Sequence, residues 1–118
     1  MSGEPTSRLL PTPTNEERHR NAGVEHAEQG RFEEALTEYN QAIRIDPQRA
    51  LTYRNRGDAY YDLGQYQRAI EDYTDVIRLD PLDVVAYNNR GLAYAHLGEH
   101  KRAIEDLDEA IRLDPLYA

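Results

Sequence analysis

The chain has 118 residues, no cysteine, and 14 Lys and Arg against 22 Asp and Glu, a formal net charge of -8. That length fits one domain with a modest core; the missing cysteines exclude disulfides, thiolate metal sites and cysteine nucleophiles, and the negative balance opposes phosphate backbones and anionic membranes, so neither nucleic acid nor membrane is an expected partner. No apolar run is long enough to span a bilayer and no signal-peptide core follows the N-terminus, which makes a cytoplasmic location the expectation.

Residues 1–13, MSGEPTSRLLPTP, place three prolines among small polar residues without a helical period, and a flexible N-terminal tail is expected there. A folded domain over 14–118 follows. Thr14 and Glu17 stand at capping-box spacing, where hydroxyl and carboxylate satisfy the free N–H groups of a helix start.

From that point the chain repeats every 34 residues, with Pro47, Pro81 and Pro115, Gly30, Gly64 and Gly98, Gly23, Gly57 and Gly91, and Ala35, Ala69 and Ala103 in register. The units are 16–49, 50–83 and 84–117, and the second and third are identical at 19 of 34 positions. Apolar and aromatic residues recur at helical spacing on both sides of the central glycine, so each unit reads as two helices of roughly 12–14 residues, about 20 Å each. Gly30, Gly64 and Gly98 suit the left-handed turn that closes the first helix, and each Asp-Pro ends the second. Gly23 with Ala35, Gly57 with Ala69 and Gly91 with Ala103 let paired helices approach, with Tyr60 and Tyr73, or Tyr94 and Leu107, beside them. One such hairpin cannot bury its apolar faces alone, whereas stacked neighbours form one continuous core.

Tyr53, Gly57, Tyr60, Gly64, Ala69, Tyr73, Val76 and Pro81 in the second unit, matched by Tyr87, Gly91, Tyr94, Gly98, Ala103, Leu107, Ala110 and Pro115 in the third, resemble the tetratricopeptide repeat family over about 16–117. The first unit is the loosest, with His19 and His26 where the others have Tyr. The resemblance implies an all-α, right-handed α-solenoid of three helix-turn-helix repeats and six helices. It also implies a non-catalytic adaptor or scaffold whose concave surface, lined by the first helices, holds a protein or peptide ligand.

On that surface the candidate binding residues are Arg20, Asn21 and Val24 from the first unit, and Arg54, Asn55, Asp58 and Tyr61 from the second. The third adds Asn88, Asn89, Leu92 and His96; Glu17, Glu28, Leu51, Asp62 and Val85 border them. Asn21, Asn55 and Asn89 are equivalent, and two readings stand side by side: a ladder of amides that grips a peptide backbone, or hydrogen bonds within the array. Tyr61 is either an interface anchor or an inter-repeat packing residue. Asp58 and Asp62 either favour basic ligands or form a solvated helix face. The family's dicarboxylate clamp for acidic chaperone tails corresponds to Arg20, Val24, Asn55, Val85 and Asn89, where only Asn55 matches outright and Arg20 conservatively. Chaperone-tail binding is therefore not expected.

No hydroxyl or histidine stands in a recognisable catalytic motif, so neither an enzyme nor a cofactor is expected. The remaining carboxylates are expected to be solvated or paired along their helix, as Arg68 with Asp72 and Arg102 with Asp106. His19 and His26, and His96 and His100, have spacings that invite a metal, but Gly98 should break the helix between the latter pair, and packed or surface histidine is the expectation at all four. Two alternatives to a groove adaptor remain. The last unit closes on IRLDPLYA without a polar capping helix, so Leu107 and Ile111 are expected to be partly exposed and to support self-association as a homodimer or filament. Otherwise the chain is a docking module of a larger protein, or Leu9 and Leu10 fill the groove or the exposed end.

Overall fold

Thr14 begins the first helix as its spacing with Glu17 requires: the Glu17 N–H donates to Thr14 Oγ1 at 3.1 Å and the Thr14 N–H to Glu17 Oε1 at 2.8 Å. The computed structural model describes residues 11–116. Most of the expected tail, Leu9 and Leu10 included, lies outside the described residues. Six helices follow in order: α1 (Asn15–Glu28), α2 (Phe32–Ile45), α3 (Ala50–Asp62), α4 (Tyr66–Leu79), α5 (Val84–His96) and α6 (His100–Leu113). Each packs on its neighbours in sequence, and no strand occurs among the described residues, which makes the fold an all-α solenoid of three helix pairs.

The turn inside each pair is closed by glycine at φ 76° (Gly30), 76° (Gly64) and 78° (Gly98), a conformation in which a Cβ is strained. The following N–H groups reach back to the orphan carbonyls, Arg31 to His26 at 2.8 Å, Gln65 to Tyr60 at 2.8 Å and Glu99 to Tyr94 at 2.9 Å. Between pairs, Asp46, Asp80 and Asp114 cap the second helices. Their carboxylates accept the N–H two residues on, at 3.1 Å from Gln48, 3.2 Å from Leu82 and 3.1 Å from Leu116. The Asp of each Asp-Pro thus builds the connecting turn, while the Pro prevents the helix from continuing.

The helix-face glycines make room for a bulky side chain of the partner helix, a ring in the first two units and Leu107 in the third. A methyl on Gly23 would overlap the Tyr39 ring, and one on Gly57 would lie 2.8 Å from Tyr73 Cε1. At Gly91 the neighbours are Leu107 Cγ at 3.0 Å and the Ala103 carbonyl at 3.1 Å. Two apolar clusters then join the units: Ala35, Leu36 and Tyr39 with Ala59, and Tyr53 and Val76 with Ala86. Burial of the larger aliphatic side chains among them, Leu36 and Val76, contributes about 1.5–3 kcal/mol each, and here it is shared between units, so the array is held together by the same residues that fold each pair.

The expected pairings of Arg68 with Asp72 and of Arg102 with Asp106 do not form. Asp72 is only 2% exposed, because it points into the seam between α3 and α4, where Arg56 holds it with two bonds of 2.9 and 2.7 Å. Asp106 is likewise buried and held by Arg90 at 2.7 Å on both oxygens. In the first unit His19 Nδ1 and Glu38, at 2.7 Å, take this place. Arg68 instead lies over the Tyr60 ring, and Arg102 over Tyr94 while pairing with Glu99 at 3.4 Å.

Candidate functional site

Position 58 follows the close-approach glycine of α3, so its side chain sits where α3 meets both α4 and α5. The Tyr73 hydroxyl donates to Asp58 Oδ1 at 2.5 Å and the Asn89 amide donates to the same oxygen at 3.3 Å. Burial pushes the Asp58 carboxyl up from the usual carboxylate range, with Asp62 adding to it, while Tyr73, Arg54 and Asn89 oppose the shift. Two cavities open on either side. One, of about 260 Å³, is lined by Asp58, Tyr61, Asp62, Tyr73, Asn89 and Leu92. The other, of about 230 Å³, is lined by Val24, Ala27, Glu28, Tyr39, Asn55, Asp58, Ala59 and Asp62.

Six of the eleven candidate residues, Val24, Asn55, Asp58, Tyr61, Asn89 and Leu92, therefore come together around these two hollows. The others are differently employed. Arg20 pairs with Glu16 at 3.1 Å and Arg54 with Asp83 at 3.3 Å. The Asn88 amide donates to Asn89 at 3.4 Å, and Asn21 is exposed outside both cavities. His96 stacks on Tyr66 with ring centres 4.4 Å apart, and Tyr61 meets both edge-on at 5.2 and 5.4 Å. The asparagine positions are thus unequal: Asn55 and Asn89 each face a cavity, but the Asn89 amide is also bonded to Asp58 within the array, and Asn21 faces neither cavity.

Sequence reasoning missed three contributors. Tyr73 reads as a packing residue and Tyr39 carries no mark in the sequence, yet each forms part of a cavity wall. Glu16, buried at the first joint, accepts from Thr52 Oγ1 at 2.9 Å and pairs with Arg49 at 3.1 Å. Nothing local marks it, because Thr52 lies 36 positions away. Gly98 does separate the two histidines, since α5 ends at His96 and α6 begins at His100. Among the described residues no group of three or more His, Asp or Glu is placed to hold a metal ion.

The acidic hollow also governs its phenols. Burial, with Asp58 and Glu28 beside it, pushes the Tyr39 hydroxyl up to about 12, and burial with Asp58 pushes Tyr73 up further. Both shifts raise the folded value, so the stability they contribute is complete below the unfolded phenol range near pH 10 and is lost as the pH climbs through the folded values. In an ultraviolet absorbance titration these two phenols are expected to ionise last, together with loss of helical circular dichroism. Ionisation of all nine tyrosines in one step near pH 10, with the helices intact, would contradict this.

A family model described as "TPR repeat" matches residues 23–64, and one described as "Tetratricopeptide repeat" matches 54–118, more than half the chain. Among curated proteins none matches at a significant level. Solved structures similar to the chain include the second TPR domain of the human RPAP3 protein in complex with the HSP70 peptide SGPTIEEVD, at 30% identity, TM-score 0.81, covering 84% of this chain and 82% of that one. The Arabidopsis OM64 TPR domain is similar at 29% identity, TM-score 0.84, with 88% of each chain covered. The Sgt2 TPR domain from Aspergillus fumigatus is similar at 27% identity, TM-score 0.82, covering 92% of this chain and 71% of that one.

Proposed function

Because the chain belongs to the tetratricopeptide repeat family, we propose that it is a non-catalytic protein-binding module that holds a short segment of another protein against α1, α3 and α5. The observation that carries this reading is the pair of adjacent hollows that share Asp58 and Asp62 and draw their walls from all three first helices. Each combines apolar wall, from Val24, Ala27 and Ala59 or from Tyr61 and Leu92, with carboxylates and no cation. A Lys or Arg side chain suits such a hollow, with its methylene stem against the wall and its charge at the carboxylates.

The same chemistry disfavours an acidic ligand such as the peptide bound by the human RPAP3 domain. Arg20, the one cation at the clamp positions, is engaged by Glu16, and Val24, Asn55, Val85 and Asn89 bring none. The ligand of this groove is therefore a basic segment rather than an acidic tail.

Selection from a random peptide library tests the reading. The probe is the wild-type chain beside an Asp62→Lys, Leu92→Lys variant, both positions being exposed and compatible with folding. Enrichment of Lys- and Arg-containing peptides that bind the variant at least tenfold more weakly is expected. Selected peptides that ignore the substitutions, or that are acidic, would sink the proposal.

A further inference from the structure

The two hollows occupy the same place in successive units. Glu28, Tyr39 and Asn55 stand in the hollow between α1 and α3 where Asp62, Tyr73 and Asn89, each 34 residues on, stand in the hollow between α3 and α5. Their phenols are nevertheless in different states. The Tyr73 hydroxyl donates to Asp58 at 2.5 Å, whereas the residue equivalent to Asp58 beside Tyr39 is Val24, which accepts nothing. Tyr39 is 2% exposed and makes no side-chain hydrogen bond among the described residues. No fully buried side-chain nitrogen or oxygen among those residues lacks a partner, so the Tyr39 oxygen is the part of the residue that reaches the hollow. The Asn55 amide lines the same hollow and is likewise unbonded among the described residues.

A polar tip on a buried ring sets a condition on any ligand. Solvent satisfies such a hydroxyl until a ligand displaces it, and a ligand that cannot replace those bonds forfeits affinity. A site of this kind rejects the analogue without the hydrogen-bonding group far more strongly than it distinguishes sizes of hydrocarbon. The fitting side chain therefore has a hydrocarbon stem, for Val24, Ala27 and Ala59, and a polar tip at Tyr39 and Asn55; Glu28, Asp58 and Asp62 favour a positive one. Tyr39 and Asn55 offer one acceptor oxygen each, and Asp58 has committed Oδ1 to Tyr73 and Asn89, so it does not present both oxygens to a guanidinium fork. Separate oxygens suit the diverging N–H bonds of an ammonium.

We propose that the hollow between α1 and α3 is a lysine pocket in which the Tyr39 hydroxyl, with Asn55, receives the ammonium group of the ligand, so that Tyr39 distinguishes lysine from an apolar side chain of equal length. The proposal rests on the groove reading above and adds an order along the ligand, with its lysine on the α1 side of Asp58. Burial, with Asp58 and Glu28 beside it, pushes the Tyr39 phenol up to about 12. It is therefore neutral at physiological pH, where it accepts from the ammonium and keeps its own hydrogen for a carbonyl of the ligand.

The test selects peptides on the wild-type chain from a library with lysine fixed at the centre, then resynthesises them with norleucine or arginine there. Norleucine keeps the stem and lacks the ammonium; at least tenfold weaker binding to the wild type is expected, and several-fold weaker binding for arginine. On the Tyr39→Phe chain the lysine peptide is expected to weaken at least fivefold, while the norleucine peptide binds no worse than it does to the wild type. The free Tyr39→Phe chain is expected to melt with the wild type, because its hydroxyl has no internal bond to lose, whereas Tyr73→Phe melts lower. The proposal is overturned, with the groove reading intact, by a lysine peptide indifferent to Tyr39→Phe, by equal losses for lysine and norleucine, by arginine binding as tightly as lysine, or by Tyr39→Phe melting as low as Tyr73→Phe. Failure to select any lysine peptide, or peptides that the Asp62→Lys, Leu92→Lys chain binds as well as the wild type, would overturn both.

Discussion

Tyr73→Ala is expected to destabilise the protein by about 3–5 kcal/mol, the range for removing a buried aromatic side chain that leaves a cavity. The ring is 1% exposed and packs on Gly57, which has no side chain of its own to refill the deleted volume. The loss also orphans Asp58, which keeps only the 3.3 Å bond from Asn89. Tyr73→Phe separates the two effects: it keeps the ring and removes the hydroxyl, and about 1–2 kcal/mol is expected from the missing hydrogen bond to a half-buried carboxylate. Urea denaturation followed by circular dichroism measures both. Equal losses in the two variants would mean that the Asp58 bond, and not packing at the glycine, dominates this seam.

Arg56→Ala is expected to cost about 3 kcal/mol, the lower end for breaking a buried ion pair, because the guanidinium retains some contact with water. For a domain of this size that is a fall in Tm on the order of 10 °C. The cost arises chiefly from Asp72, left charged in the seam between α3 and α4. Adding Asp72→Asn to Arg56→Ala should therefore recover part of the loss, giving a double-mutant cycle with strong coupling. The pH dependence has a definite sign. Burial already pushes Asp72 upward and Arg56 opposes it, so without the arginine the folded carboxyl binds its proton more tightly than the unfolded one. The destabilisation is then greatest above the raised value and shrinks as the pH falls through it. A loss below about 1 kcal/mol, independent of pH, would place the pair among ordinary solvated ones.

What was legible in the sequence was whatever local chemistry decides. Gly30, Gly64 and Gly98 announce left-handed turns because few other residues tolerate that backbone, and each Asp-Pro announces a helix end through the missing N–H. The capping box at Thr14 needs residues three positions apart and nothing else. The polar joints were not legible on the same terms. Arg56 finds Asp72 across 16 residues and Thr52 finds Glu16 across 36, and an i,i+4 reading assigns Asp72 to Arg68 because only helix spacing is visible.

The groove shows the same division. Period and helix phase place Asn21, Asn55 and Asn89 in equivalent positions, yet they differ in the fold. Asn89 meets a carboxylate because the preceding unit has Asp58, whereas the corresponding residue before Asn55 is Val24, which accepts nothing. Equivalence along the chain thus fixed the backbone position of each amide, while the divergent neighbour one unit back decided whether it stayed free.

Ligand binding at the twin hollows is open to direct measurement. Amide chemical shifts of the labelled chain, followed as a library-selected basic peptide is added, address it most simply. The account predicts the largest changes at Val24, Asn55, Asp58, Asp62 and Leu92, on the three first helices. Changes confined to α2, α4 and α6, or spread evenly with no focus on these residues, would contradict it.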